Sequence, residues 1–215
     1  MCRFLVPGLL LLTLLGCFWR KATPQTTTLT YQGPQTYTLR PGDWLPGTDV
    51  RYVGRSADGA EFLIGGQKAL KQKADSLNWS GSPAAGVWLD LRLRIIWFTD
   101  EALYTAGTVK VAVSDPAPAA GEISTRAPLS YQVPATYGLP VGQTAPGTTL
   151  AYEGRSAEGG KFTGVEGYPF RQPGDSLRWE GWLRPNEALR LDLRVAQYDD
   201  RAARLAGLAH LWISP

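Results

Sequence analysis

The chain has 215 residues, 44% of them hydrophobic and 19% charged, a balance that suits a folded globular body and excludes an intrinsically disordered one. Its 22 Lys and Arg against 19 Asp and Glu leave a net charge of +3. This is spread thinly, whereas nucleic-acid binding calls for a clustered basic stripe; the nearest approach, Lys68, Lys71 and Lys73, reads as a solvated face.

The first element is a leader. Arg3 precedes an apolar run from Phe4 to Trp19, followed by Arg20 and Lys21. The run is shorter than the roughly 20 apolar residues of a membrane-spanning helix and has the form of a secretory h-region. It ends in Leu14-Leu15-Gly16-Cys17, which resembles the bacterial lipobox. The resemblance implies cleavage before Cys17, lipidation of that residue and attachment to the extracytoplasmic face of a membrane in the cell envelope. A short uncleaved N-terminal anchor is the alternative. Both cysteines, Cys2 and Cys17, fall in this leader, so the body after it has no disulfide or thiol chemistry. The expected boundaries are a leader over 1–17 and a tether over 18–28.

The body is written twice. Of the 53 positions from 29 to 81, 24 recur identically one hundred residues later, including Tyr52 and Gly54-Arg55-Ser56-Ala57. That is too many for chance and predicts two tandem units, 29–113 and 129–215, joined by a Pro- and Ala-rich, semi-stiff linker over 114–128. Leu89-Asp90-Leu91-Arg92 matches Leu191-Asp192-Leu193-Arg194 at an offset of 102. This predicts that the second unit gains two residues near 182–186 and loses two near Asp199.

The predicted elements are strands. In chain order, Tyr31 to Leu39 contains Pro34, which places it at a sheet edge or bend. Tyr52–Ser56 and Glu61–Ile64 flank Asp58-Gly59 as a hairpin. Val87 to Ile95 alternates strictly, apolar at odd positions and Asp90, Arg92 and Arg94 at even ones, as a half-buried strand does. Asp100 to Ala106 suggests one helical turn, and Thr108 to Val113 alternates again. The same elements recur in the second unit. About seven short strands per unit at this spacing predict an all-β fold, two small sandwich- or barrel-like domains, each burying its own core.

Few residues offer chemistry. His210, the one histidine, falls on an outward strand face, and a hydrolytic triad needs an oriented base. No Cys/His cluster, Asp-rich loop or phosphate-binding glycine loop points to a metal or cofactor. Arg55 with Asp75, and Arg155 with Asp175, are retained together and predict one structural ion pair per unit. Aromatics found in both units read as core. Those found in one unit divide between packing of the units on each other and a partner surface; Trp88, Arg92, Arg94 and Trp212 are the candidates for the latter. The expected role is a non-enzymatic interaction or accessory module, tethered to a membrane through its N-terminus, with an unidentified protein or glycan partner. The alternatives are a carbohydrate- or small-ligand-binding lipoprotein and an accessory subunit of a membrane complex.

Overall fold

The computed structural model describes residues 27–215; the leader, Cys17 and most of the expected tether lie outside them. The described residues are all-β and hold no helix long and apolar enough to cross a membrane. In chain order the strands are β1 (Thr28–Leu39), β2 (Val50–Ser56), β3 (Gly59–Ile64), β4 (Gln67–Lys71), β5 (Ser76–Ala84), β6 (Val87–Phe98) and β7 (Leu103–Ser114). They continue with β8 (Ala119–Ala120), β9 (Leu129–Pro140), β10 (Ala151–Ser156), β11 (Gly159–Thr163), β12 (Phe170–Arg171), β13 (Ser176–Arg184), β14 (Glu187–Tyr198) and β15 (Ala202–Ile213).

Four antiparallel sheets result, ordered β1-β7-β6-β5, β2-β3-β4, β8-β13-β14-β15-β9 and β10-β11-β12. Alternation places the side chains: Val87, Leu89, Leu91, Leu93 and Ile95 are buried on one face of β6 while Trp88, Arg92 and Arg94 are exposed on the other. Each buried Leu or Val of such a face contributes about 1.5–3 kcal/mol by leaving water. Pro34 sits on β1, an outermost strand, where its missing N–H interrupts no ladder on the open side.

Every ladder of residues 28–114 recurs at an offset of 100. Trp79 pairs with Leu91 and Trp179 with Leu191; Leu93 pairs with Gly107 and Leu193 with Gly207. The bulges between Tyr52 and Gly54, and between Ile95 and Trp97, reappear between Tyr152 and Gly154 and between Val195 and Gln197. The expected gain and loss of two residues therefore does not occur. Leu89 corresponds to Leu189, and the Leu-Asp-Leu-Arg match is out of register by two. Because a strand repeats every two residues, a slip of two keeps each side chain on its face, so apolar alternation alone cannot distinguish the two alignments.

Other expectations need correction. The hairpin turn is Ala57-Asp58, since Ser56 already pairs with Gly59. Gly59 has φ 141°, and a Cβ there would lie 2.7 Å from the Lys71 carbonyl oxygen; it is glycine for the close approach of β4. Asp100-Glu101 is not helical but a tight turn, closed by the Thr99 N–H donating to the Ala102 carbonyl at 2.8 Å. The stretch after β7 is no free tether: Ala119–Ala120 form β8 on the edge of β13, and Ala117 N–H and Gly121 N–H donate to the Leu183 and Glu180 carbonyls.

The two halves also do not keep separate cores. Their buried residues form one continuous cluster, and the joining contacts are reciprocal. Gly47 lies against Leu129 and Leu89, and Gly147 against Leu29 and Leu183. A Cβ on Gly33 would touch Val133 and Pro134, so β1 and β9 cross in van der Waals contact. The Tyr31 and Tyr137 hydroxyls hydrogen-bond at 3.3 Å. Tyr131 and Tyr37, their counterparts, face each other in the same way. When residue i meets j and j's counterpart meets i's, the contact has the form of a twofold interface. Burial raises the pKa of all four tyrosines, that of Tyr37 to about 12.

Candidate interaction surface

The register assigns every outward side chain a counterpart in the other half. On β6, Trp88 is 52% exposed beside Ala112. Below it Arg92 pairs with Asp90 at 2.9 Å, and the Arg94 guanidinium donates to the Ala74 carbonyl at 2.9 Å. Trp88 is thus open to solvent, as are Trp44 and Trp97, so of the two alternatives for the single-copy aromatics, packing of the halves on each other does not account for these three. The repeated tyrosines and leucines join the halves instead.

Farther along β6, the bulge between Ile95 and Trp97 adds a residue to one strand. A bulge of this kind re-aims side chains, and here Ile96 and Trp97 are both exposed. Trp97 pairs across the ladder with exposed Tyr104. The Lys73 ammonium lies 4.8 Å from the Trp97 ring centroid, within cation–π reach. Trp44, also exposed, is bridged to Arg51, whose guanidinium is 5.9 Å from its ring.

The second half replaces this set. Thr144 stands for Trp44, Glu153 for Val53, Ala188 for Trp88, Ala196 for Ile96, Gln197 for Trp97 and Arg204 for Tyr104. Its own large exposed apolar side chains are Val141, Tyr168 and Leu208. The first half therefore carries seven of the ten large exposed apolar side chains of the described residues.

The outer face of β13, β14 and β15 is built differently. Trp182 and Trp212 flank Ala188 across the ladders, and Ala188 is buried between its neighbours. Trp212 stacks on His210 with centroids 5.8 Å apart and planes 13° apart, while Arg190 lies 5.3 Å from its ring. Arg190 also pairs with Glu180 at 3.0 Å, and Asp192 with Arg178 at 2.8 Å. His210 Nε2 stands 3.6 Å from Asp192. Trp182, a single-copy aromatic, and Arg190 belong to this face but were not among the surface candidates; the ladder register is the signal that finds them.

The expected Arg–Asp pairs are not formed. Arg55 meets Asp100 at 3.5 Å, and Asp75 accepts the Gln72 N–H at 2.7 Å, as Asp175 accepts that of Gln172. Asp75 and Asp175 close turns at strand entry, a local role short polar side chains fill readily. Their recurrence with Arg55 and Arg155 therefore reflects two separate needs. Among the described residues no three His, Cys, Asp or Glu side chains gather in a metal-binding group. No protein-family model matches the chain, and no curated protein or solved structure is significantly similar to it.

Proposed function

We propose that this chain is a membrane-tethered, extracytoplasmic interaction module, a duplicated β unit whose first half docks a protein partner and whose second half supports it. The carrying observation is the uneven distribution of exposed apolar side chains. Trp44, Trp88, Ile96, Trp97 and Tyr104 are open to water, and their counterparts are Thr, Ala, Ala, Gln and Arg. Both halves tolerate the same backbone, so folding does not require these apolar groups. Exposed aromatic residues and arginine are what partner surfaces are enriched in, and Arg51 lies beside Trp44. The leader, with Cys17, supplies the tether, and the role is non-enzymatic.

The test is site-specific photo-crosslinking of the full chain in its own membranes. A photoreactive residue at 97 or 104 should yield adducts with a discrete protein, and one at 197 or 204 should not. Equal labelling of both halves, or none, would reject the reading. Mass spectrometry of the mature N-terminus separates an acylated Cys17 from a retained N-terminal anchor.

A second reading, glycan binding, draws support from the Trp182–Ala188–Trp212 row with its Arg190 and His210 neighbours. Flat rings beside polar groups suit a sugar face. Glycan-array binding abolished by Trp212→Ala and unaffected by Trp97→Ala would favour it over protein docking.

A further inference from the structure

Three tryptophans stand in corresponding cross-strand rows of the two halves. In the first half the row runs Thr30, Ala112, Trp88 across β1, β7 and β6. In the second it runs Ser130, Trp212, Ala188, Trp182 across β9, β15, β14 and β13. Cross-strand partners share one face of a sheet. Here it is the outer face, on which Trp88 is exposed and Trp182 and Trp212 are partly exposed. The ring never occupies the same position twice: Trp88 corresponds to Ala188, Trp212 to Ala112 and Trp182 to Ser82. A shaped pocket requires a ring at one particular residue. What recurs in this protein is the level of the ring along the strands, reached from different residues.

That level lies where the tether meets the body. The row crosses β1 at Thr30, just after the strand opens at Thr28. Thr27 N–H donates to the Asp115 carboxylate at 3.2 Å, and its carbonyl accepts the Asp115 N–H at 2.7 Å. Trp88 follows Val87 at the start of β6, and the Ser114 N–H ties that hairpin end down through the Gly86 carbonyl at 2.8 Å. The row of the second half is drawn to the same place. The Arg184 guanidinium donates to the Ser114 carbonyl at 2.8 Å, and Ala117 N–H to the Leu183 carbonyl at 2.8 Å. Trp182 lines an open recess with Asp115, Ala117 and Arg184. Ten residues lead from Cys17 to Thr27, a reach of at most about 35 Å. A lipid on Cys17, or an uncleaved anchor ending at Trp19, therefore keeps this end of the body close to the bilayer. Trp97 is nine residues farther along β6, about 30 Å away at the strand rise.

We propose that this end of the body docks on the bilayer surface, with Trp88 and Trp212 seated at the membrane–water boundary. The proposal rests on the membrane tether of the preceding reading and adds what the tethered body does with its near end. Tryptophan gathers at that boundary because its ring is apolar while its N–H can stay among wet headgroups. The requirement is for a depth, which any outward residue of the row can meet, and this explains why the two halves place the ring at different residues. Charge is not the attraction: Arg184 faces Glu187 at 3.6 Å and Arg190 faces Glu180 at 3.0 Å, so zwitterionic lipid suffices. Docking by this end leaves Trp97 and Tyr104 turned away from the membrane, where a protein partner reaches them.

The full-length chain, reconstituted into phosphatidylcholine vesicles with brominated acyl chains that quench nearby tryptophan emission, supplies the test. Flotation of the vesicles reads the tether; quenching reads the docking. Trp88→Ala and Trp212→Ala should each lower the quenched fraction of the emission, and Trp97→Ala should raise it by removing an unquenched ring. Trp19 is common to every variant. Adding Ala112→Trp to Trp88→Ala moves the ring along the row to the position the second half uses, and should restore the quenching. Equal effects of the substitutions at 88 and 97, or no recovery on adding Ala112→Trp, overturn the proposal while leaving the tether in place. A chain that does not float with the vesicles removes the tether and the proposal with it.

Discussion

Gly142 and Gly147 form a natural control pair for the contact between the halves. Both have φ 77°, so alanine at either pays the same left-handed cost, about 1–2 kcal/mol. A Cβ at 142 meets nothing within 4 Å, whereas one at 147 runs into Leu29 of the first half and comes within 3.2 Å of Leu183. Leu29 is 8% exposed and can yield only partly, and overpacking of this kind costs about 1–3 kcal/mol. Gly147→Ala should therefore lower the unfolding free energy by about 1–3 kcal/mol more than Gly142→Ala. For a chain of this size that is roughly 2–4 °C of melting temperature per kcal/mol. Urea denaturation of the full-length protein measures both. Adding Leu29→Ala should recover part of the Gly147→Ala loss and none of the Gly142→Ala loss, a coupling expected only of residues in contact. Equal destabilisation by the two glycine substitutions, with no coupling to Leu29, would show that the halves do not share a core.

Other outcomes follow from the same geometry. Tyr31, whose pKa burial raises above 10, is bound to stay neutral, so stability should be full below pH 10 and fall as pH rises above it. Tyr31→Phe should soften that decline, read as unfolding midpoint against pH from 9 to 11. Glu187 is buried and its pKa is raised by burial, with Arg184 at 3.6 Å opposing. An acid with a raised folded pKa is destabilising above it, so its penalty should grow as pH rises through the carboxylate range. Glu187→Gln should then flatten that decline, its effect relative to the unaltered protein becoming more favourable from pH 3 to neutral pH. Asp75→Ala should cost about 0.5–1 kcal/mol through its lost turn hydrogen bond, and Arg55→Ala less than about 0.5; because the two do not pair, the double substitution should be additive. Trp97→Gln should leave stability within about 0.5 kcal/mol while abolishing crosslinks at neighbouring Tyr104.

Strand identity was legible in the chain because a strand repeats every two residues. Val87 to Ile95 announces which face is buried without reference to any neighbour, and Pro34 announces an edge. What the sequence by itself determined was therefore the all-β class, the positions of strands such as β1, β2, β3 and β6 and the recurrence of 29–81 at 129–181. Register was not fully legible, since a slip of two residues leaves alternation intact and Leu-Asp-Leu-Arg recurs in the wrong phase; only the ladder partners place Leu89 with Leu189. The Arg55–Asp75 expectation failed because recurrence marks a shared need without saying whether two residues share it with each other. The tertiary structure alone decided that Tyr31 reaches Tyr137, that Leu29 closes on Gly147 and that Ala119–Ala120 pair with the edge of β13. Each is a contact between segments distant in the chain, set by which sheets and strands come to lie side by side, and side-chain periodicity carries no information about which of them lies opposite.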